Sequence, residues 1–198
     1  MPHTTRRARE RAETRERIVE AALHVLETEG PSALTVRRIA NDVEYSAPVV
    51  YQHFANKGAL MAELVAHGHH LMLAGFAHVA EEPDVERRLT RTASEYVRFA
   101  GDHPHLYALM NGTAVDAEAR RHAAEAAIAL LRELLTAWSA THAVPLPDLD
   151  EACEIIWGTL YGIASLGQLD TVGNERARRL AQQALQALLL GWRAEAGT

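Results

Sequence analysis

The stretch from Thr35 to Leu60, TVRRIANDVEYSAPVVYQHFANKGAL, limits what this chain can fold into more than any other. Val36, Ile39, Ala40 and Val43 recur at helical spacing behind Thr35, whose hydroxyl suits an N-cap. The chain turns near Glu44 and Tyr45. Ser46 is then a second N-cap, with Pro48 in the first turn, where a missing N–H costs nothing. On the helix that follows, Val50, Tyr51 and Phe54 are expected to face inward, and Ala47, Pro48, Val49, Gln52 and His53 lie nearer the open side. Asn56 can cap a further helix that begins at Lys57. Two short helices joined by a tight turn describe a helix-turn-helix, the unit that lays its second helix in the major groove of DNA.

Particular residues sharpen that pattern. Ile39-Ala40, then Ser46, then Tyr51-x-His53-Phe54-x-x-Lys57-x-x-Leu60 resembles the tetracycline-repressor (TetR) family of bacterial transcriptional regulators, most strongly over residues 14 to 64. The resemblance implies an all-α chain of nine or so helices. Residues 1–56 would form a three-helix DNA-binding domain, with 1–13 a flexible basic arm, and residues 57–198 a regulatory and dimerisation domain. It implies a repressor that binds a palindromic operator as a homodimer and is released by a small, largely apolar effector, with no cofactor. His103-Pro104-His105-Leu106-Tyr107 and Trp157-x-x-x-Tyr161-Gly162 resemble a TetR subgroup with a Trp and then a His-Gly signature, although tyrosine replaces that histidine here.

Composition agrees with an all-α chain. Alanine, leucine, glutamate and arginine are abundant, β-branched runs are few, and 198 residues can bury a sizeable core. No run of about 18 uncharged apolar residues is present to span a membrane. The N-terminus lacks the apolar segment of a secretion signal, so the expected location is the cytoplasm. One cysteine, Cys153, excludes an internal disulfide framework. The net charge of −6 divides unevenly: residues 1–60 hold nine Arg/Lys against eight Asp/Glu, and the rest hold eleven against eighteen. Phosphate binding must therefore come from local placement, not bulk charge.

Groove geometry puts Ser46, Ala47, Pro48 and Val49 nearest the base edges. None of them offers the bidentate fork of arginine to guanine or asparagine to adenine, so apolar contact with thymine methyls is expected. Gln52 is the one nearby side chain suited to adenine, the alternative being that it faces the DNA backbone. By resemblance, Tyr51, His53 and Lys57 contact phosphates or hold helix ends. The helix N-terminus at Thr35 offers another phosphate a hydroxyl, backbone N–H groups and a favourable dipole, to which Arg37 and Arg38 could add. Two positions leave alternatives open. Tyr51 can equally pack its ring into the core, and Glu44, where the family usually has glycine, requires a left-handed backbone or a turn of different shape. Arg6, Arg7, Arg9 and Arg11 read either as a solvated helix with Arg/Glu pairs four apart or as an arm that tracks DNA.

Beyond the turn, helices are expected at 14–29, 57–80, 84–102, around Leu106 and Met110, 116–141, 148–169 and 174–196, with Val144-Pro145-Leu146-Pro147 a rigid linker. Candidate pocket residues are Met72, Phe76, Tyr96, Phe99, Tyr107, Met110, Trp138, Trp157 and Tyr161, which suit a mostly apolar ligand. The last two helices are more apolar than surface helices need. Ile156, Leu160, Ala164, Ala184, Leu188 and Trp192 are the expected dimer interface, the alternative being that these faces pack within one chain. A metal-binding or enzymatic bundle built on His67, His69 and His70 is the other reading of the chain. It lacks a paired Glu-x-x-His motif, a phosphate loop and a nucleophile elbow, so neither metal nor catalysis is expected.

Overall fold

The computed structural model describes residues 2–146, 148–169 and 172–197, with side chains from Arg6 onward. Nine α-helices and one 3-10 turn account for its regular structure: α1 Pro2–Glu29, α2 Val36–Asp42, α3 Ala47–His53, α4 Lys57–Phe76, the 3-10 turn Ala77–Val79, α5 Val85–Asp102, α6 Pro104–Asn111, α7 Ala117–His142, α8 Leu149–Gly167 and α9 Asn174–Ala196. There is no strand among the described residues. The chain is all-α, as the sequence implied. Pro147 of the expected linker lies outside the described residues.

Several boundaries follow from caps that the sequence displays. Gly30, at φ 82°, ends α1 with its N–H on the Leu26 carbonyl. The Asp84 side chain accepts from the Arg87 N–H to start α5, and Asp148 accepts from Asp150 and Glu151 to start α8. Asn56 receives the Ala59 N–H at 2.8 Å at the head of α4. Of the two readings of the basic segment, the helical one is seen in its backbone: α1 begins at Pro2 and runs on through residue 13. Arg6–Glu10 and Arg9–Glu13 pairs, at 3.3 and 2.9 Å, bridge successive turns there. Met1 and the side chains through Thr5 lie outside the described part.

Two compact units result, Met1–Gly68 with His105–Ala123, and His69–Pro104 with Ala124–Thr198. This is not the expected division at residue 56, and the reason is α6. A Cβ on Gly68 would stand 2.6 Å from the Met110 Sδ, and one on Gly30 would meet the His105 ring at 3.5 Å. Helix α6 thus packs against α4 and the end of α1, and takes buried Leu106, Tyr107 and Met110 into the first unit. That unit's core continues through Ile18, Ala22, Leu26, Leu34, Ile39, Val50, Phe54 and Leu60. Arg15 clamps it from one side, donating to both oxygens of Glu63 at 2.5 and 2.6 Å with its guanidinium 4.8 Å from the Phe54 ring centre.

In the second unit α5, α8 and α9 pack together. Close approach of α8 and α9 needs Gly167, where a Cβ would lie 2.8 Å from that of Ala177. Trp138, fully buried on α7, donates its Nε1–H to Glu86 at 3.3 Å and meets Trp192 edge-on at 6.2 Å. Glu86 also accepts from Arg193, whose guanidinium lies over the Trp138 ring.

One expectation is corrected here. Ile156, Leu160 and Ala164 are buried inside this unit, so they are core residues of the single chain and not a surface for a partner. Ala184, Leu188 and Trp192 are half-buried. The α8 face assigned to dimerisation is thus used inside the unit, and on α9 the Trp192 ring meets Trp138 of α7.

His69 adds a pH dependence to the second unit. Its Nδ1 is shut off from water without a hydrogen-bond partner, and burial, aided by repulsion from His70, pulls the imidazole down to about 4. The unfolded chain takes up this proton near pH 6.5 and the folded chain near 4, so stability is complete above the first value and is lost as pH falls toward the second. The loss should be on the order of 2–3 kcal/mol. Urea unfolding midpoints measured across that window should fall for the wild-type chain and fall less for His69→Leu.

Candidate nucleic-acid interface and effector cavity

The helix-turn-helix is assembled from three local devices. Thr35, in extended backbone, accepts the Arg38 N–H at 3.2 Å and starts α2. At the far end the Glu44 N–H reaches the Asn41 carbonyl at 3.1 Å and the Tyr45 N–H reaches that of Ala40 at 2.8 Å. That double closure is a Schellman turn, and it sets Glu44 at φ 58° in the left-handed region. The first of the two alternatives for Glu44 therefore holds. Arg17 braces the turn from α1, its guanidinium 5.3 Å from the Tyr45 ring centre and 3.1 Å from the hydroxyl. Ser46 then takes the N-cap position of α3, although its hydroxyl makes no capping bond.

A non-glycine residue in that conformation costs about 1 kcal/mol. Glu44→Gly should accordingly raise the unfolding midpoint of the chain by a few degrees, less whatever the added freedom of the unfolded state takes back. A calorimetric scan of the two proteins checks this.

Helix α3 buries Val50, and Phe54 is buried just past its end, leaving Pro48, Tyr51 and Gln52 exposed and Ala47, Val49 and His53 half-exposed. Tyr51, expected to turn inward with Val50, is 52% exposed, which frees its ring and hydroxyl for a partner. Lys57 and Arg37 are exposed, and Arg37 makes no ion pair among the described residues. Arg38 is committed elsewhere, to Asp42 at 3.0 Å and Glu29 at 2.7 Å, and these carboxylates raise its pKa, the Asp42 hydrogen bond most. It must leave them to reach a phosphate. His53 is held below its ordinary pKa by burial and by the positive charges of Arg11 and Arg15, which disfavour its charged form.

Sequence reasoning did not find the contact that fixes the end of α3. Arg11 of α1 donates to the Gln52 carbonyl at 2.9 Å, satisfying a group the helix leaves open. The spacing of Arg11 and Arg15, one turn apart on α1, was the available signal.

In the second unit, Met72, Phe76 and Phe99 line a 180 Å³ cavity together with Leu71, Ala74 and Gly75. Its polar rim, Glu95, Arg98, Asp102 and His103, was not anticipated. Glu95, Arg98 and Asp102 fall with Phe99 on one face of α5, at three- and four-residue spacing, and His103 follows as its C-cap, which is how the sequence could have shown them. Arg98 donates to Glu95 at 2.6 Å and to Asp102 at 3.5 Å, and the rings of Phe99 and His103 stand 5.1 Å apart.

The other pocket residues do not gather there. Tyr107 and Met110 belong to the first unit's core, Trp138 is packed solid, and half-buried Tyr96 is not among the lining residues. Trp157 and Tyr161 stand on the outer face of α8, 55% and 41% exposed. Their register carries them away from Ile156 and Leu160, which face the core. Among the described residues no three His, Cys, Asp or Glu side chains converge on a metal position, and no helix is long and apolar enough to cross a membrane.

A braced turn, an exposed short helix and a separate helical unit define a helix-turn-helix DNA-binding regulator. Residues 18–64 match the family of bacterial regulatory proteins of the tetR type, and residues 89–188 match the tetracycline-repressor-like C-terminal domain. The chain belongs to the TetR family of transcriptional regulators. Nucleoid occlusion factor SlmA of Vibrio vulnificus is 29% identical over 109 residues, 54% of this chain and 56% of SlmA, so the chain spans about half the length of the curated relatives it matches. A protein of unknown function from Rhodococcus sp. RHA1 superposes with a TM-score of 0.74 at 24% identity, covering 89% of this chain and 94% of that one. The regulator FadR from Bacillus subtilis, solved with stearoyl-CoA, gives 0.71 at 16% identity over 88% and 97% of the two chains. At such identities these structures share the fold.

Proposed function

We propose that the chain is a homodimeric, effector-controlled repressor whose paired α3 helices read a palindromic operator. The observation that carries the dimer is an apolar surface on the outer sides of α8 and α9, opposite the faces packed into the core. Ile155, Tyr161 and Leu166 on α8, Leu169 just past its end and Leu190 on α9 are 41–59% exposed. Between them Gly158, Gly162 and Gly191 have nothing within 4 Å of where a Cβ would stand, so a partner helix can approach closely. Covering large apolar side chains yields about 25 cal/mol per Å², and a two-fold operator needs a two-fold reader. Leu190, 59% exposed, should be central to this interface.

Sedimentation at micromolar concentration should show a dimer for the wild-type chain and a monomer for Leu190→Glu with helix content unchanged. A monomeric wild-type chain would remove the dimer from the account.

The effector site is the cavity lined by Met72, Phe76 and Phe99. Its size suits a small ligand or one end of a longer one, apolar in body, with a polar end that meets Asp102 and His103. His103 directly precedes Pro104, the first residue of α6. Helix α6 in turn rests on α4 at Gly68, so occupancy of the cavity has a short covalent path to the DNA-binding unit. At the groove, Thr35, Arg37, Arg38, Tyr51, His53 and Lys57 serve phosphates, Ser46 starts the reading helix, Ala47, Pro48 and Val49 meet thymine methyls, and Gln52 reads adenine.

A further inference from the structure

We propose that the first turns of α1 form a backbone arm in which Arg7 neutralises a DNA phosphate beyond the end of the groove-reading helix. The inference rests on the DNA-binding role of α3 and concerns a surface outside the helix-turn-helix. Residues 6–13 are all exposed and bury nothing, yet they continue α1 for two further turns. They carry four arginines against two glutamates.

The glutamates do not serve all four. Arg6 pairs with Glu10 and Arg9 with Glu13. Arg7, Arg11 and Arg15 instead form a separate row, each one turn from the next. Arg15 is bound into the unit's core by Glu63 and Phe54. Arg11 holds the Gln52 carbonyl at the last turn of α3. Arg7 comes next, about 6 Å farther along the axis, and makes no hydrogen bond or ion pair among the described residues.

The row therefore leads from a fixed anchor, past the end of α3, to an unopposed positive charge. A helix lying in the major groove has a phosphate strand at each of its ends. Arg7 is placed to meet that strand, and no acceptor beside it holds its guanidinium in the fork that base reading requires. The contact should act as charge alone, independent of sequence.

The test uses the full chain and mixed-sequence duplex DNA, with affinity measured by fluorescence anisotropy over a salt series. Loss of one phosphate contact lowers the slope of log K against log salt by about 0.9, so Arg7→Gln should lower it by about 1.8 for a dimer. Arg7→Lys should keep the wild-type slope, and the loss should be equal on A·T-rich and G·C-rich duplexes. The unfolding midpoint of Arg7→Gln should match that of the wild type. An unchanged slope for Arg7→Gln, a loss confined to A·T-rich duplexes, or equal loss in Arg7→Lys would each overturn the arm while leaving the role of α3 standing. A wild-type chain that binds no duplex would overturn both.

Discussion

Replacing Pro48 with glutamate should lower DNA affinity on the order of 100-fold, because a carboxylate forced against base edges and phosphates costs about 2–3 kcal/mol. Pro48 is exposed in the first turn of α3, and its neighbours Ala47 and Val49 offer no donor that could satisfy the new charge. Folding should be indifferent, since surface substitutions away from packed features stay within about 0.5 kcal/mol. Glutamate moreover suits the N-terminal turn of a helix. A titration against operator DNA, with a thermal melt of the same samples, separates the two effects. An unchanged affinity would mean that α3 does not enter the groove by this end.

Trp138→Ala should be the most destabilising single change in the second unit. The indole is fully buried, packs edge-on against Trp192, lies beneath Arg193 and donates to Glu86. Truncating a buried tryptophan costs about 3–5 kcal/mol through lost transfer energy and the cavity left behind. Glu86 would in addition lose a donor while remaining half-buried. Denaturant unfolding should show a midpoint shift of that size. Trp138→Phe, which keeps most of the packing and loses the N–H, should recover part of it. Equal loss in both variants would assign the cost to the hydrogen bond.

The sequence was most legible where a local signal had one physical meaning. Thr35, Asn56, Asp84 and Asp148 cap the helices they precede, and Gly30 ends α1 in the left-handed conformation glycine favours. Glu44 stood out because a turn that favours glycine held glutamate there. Periodicity was less informative in α8, which is apolar on both sides. Ile156, Leu160 and Ala164 form one stripe, Ile155 and Leu166 lie on another, and spacing alone does not tell which meets its own chain.

The faces of the aromatic residues were hidden for a related reason. Aromatic residues were counted without regard to the face they occupy, so Trp157 and Tyr161 were grouped with Phe99. The unit boundary was hidden because the close fit of Gly68 against Met110 is tertiary and leaves no mark in local sequence.

The most direct test of the central claim is selection of bound duplexes from a random-sequence DNA library by the purified chain, followed by footprinting of the enriched site. The account predicts a two-fold symmetric site protected on both half-sites, with thymines where Ala47, Pro48 and Val49 meet the groove. Enrichment of an asymmetric site, or of no sequence at all, would contradict it.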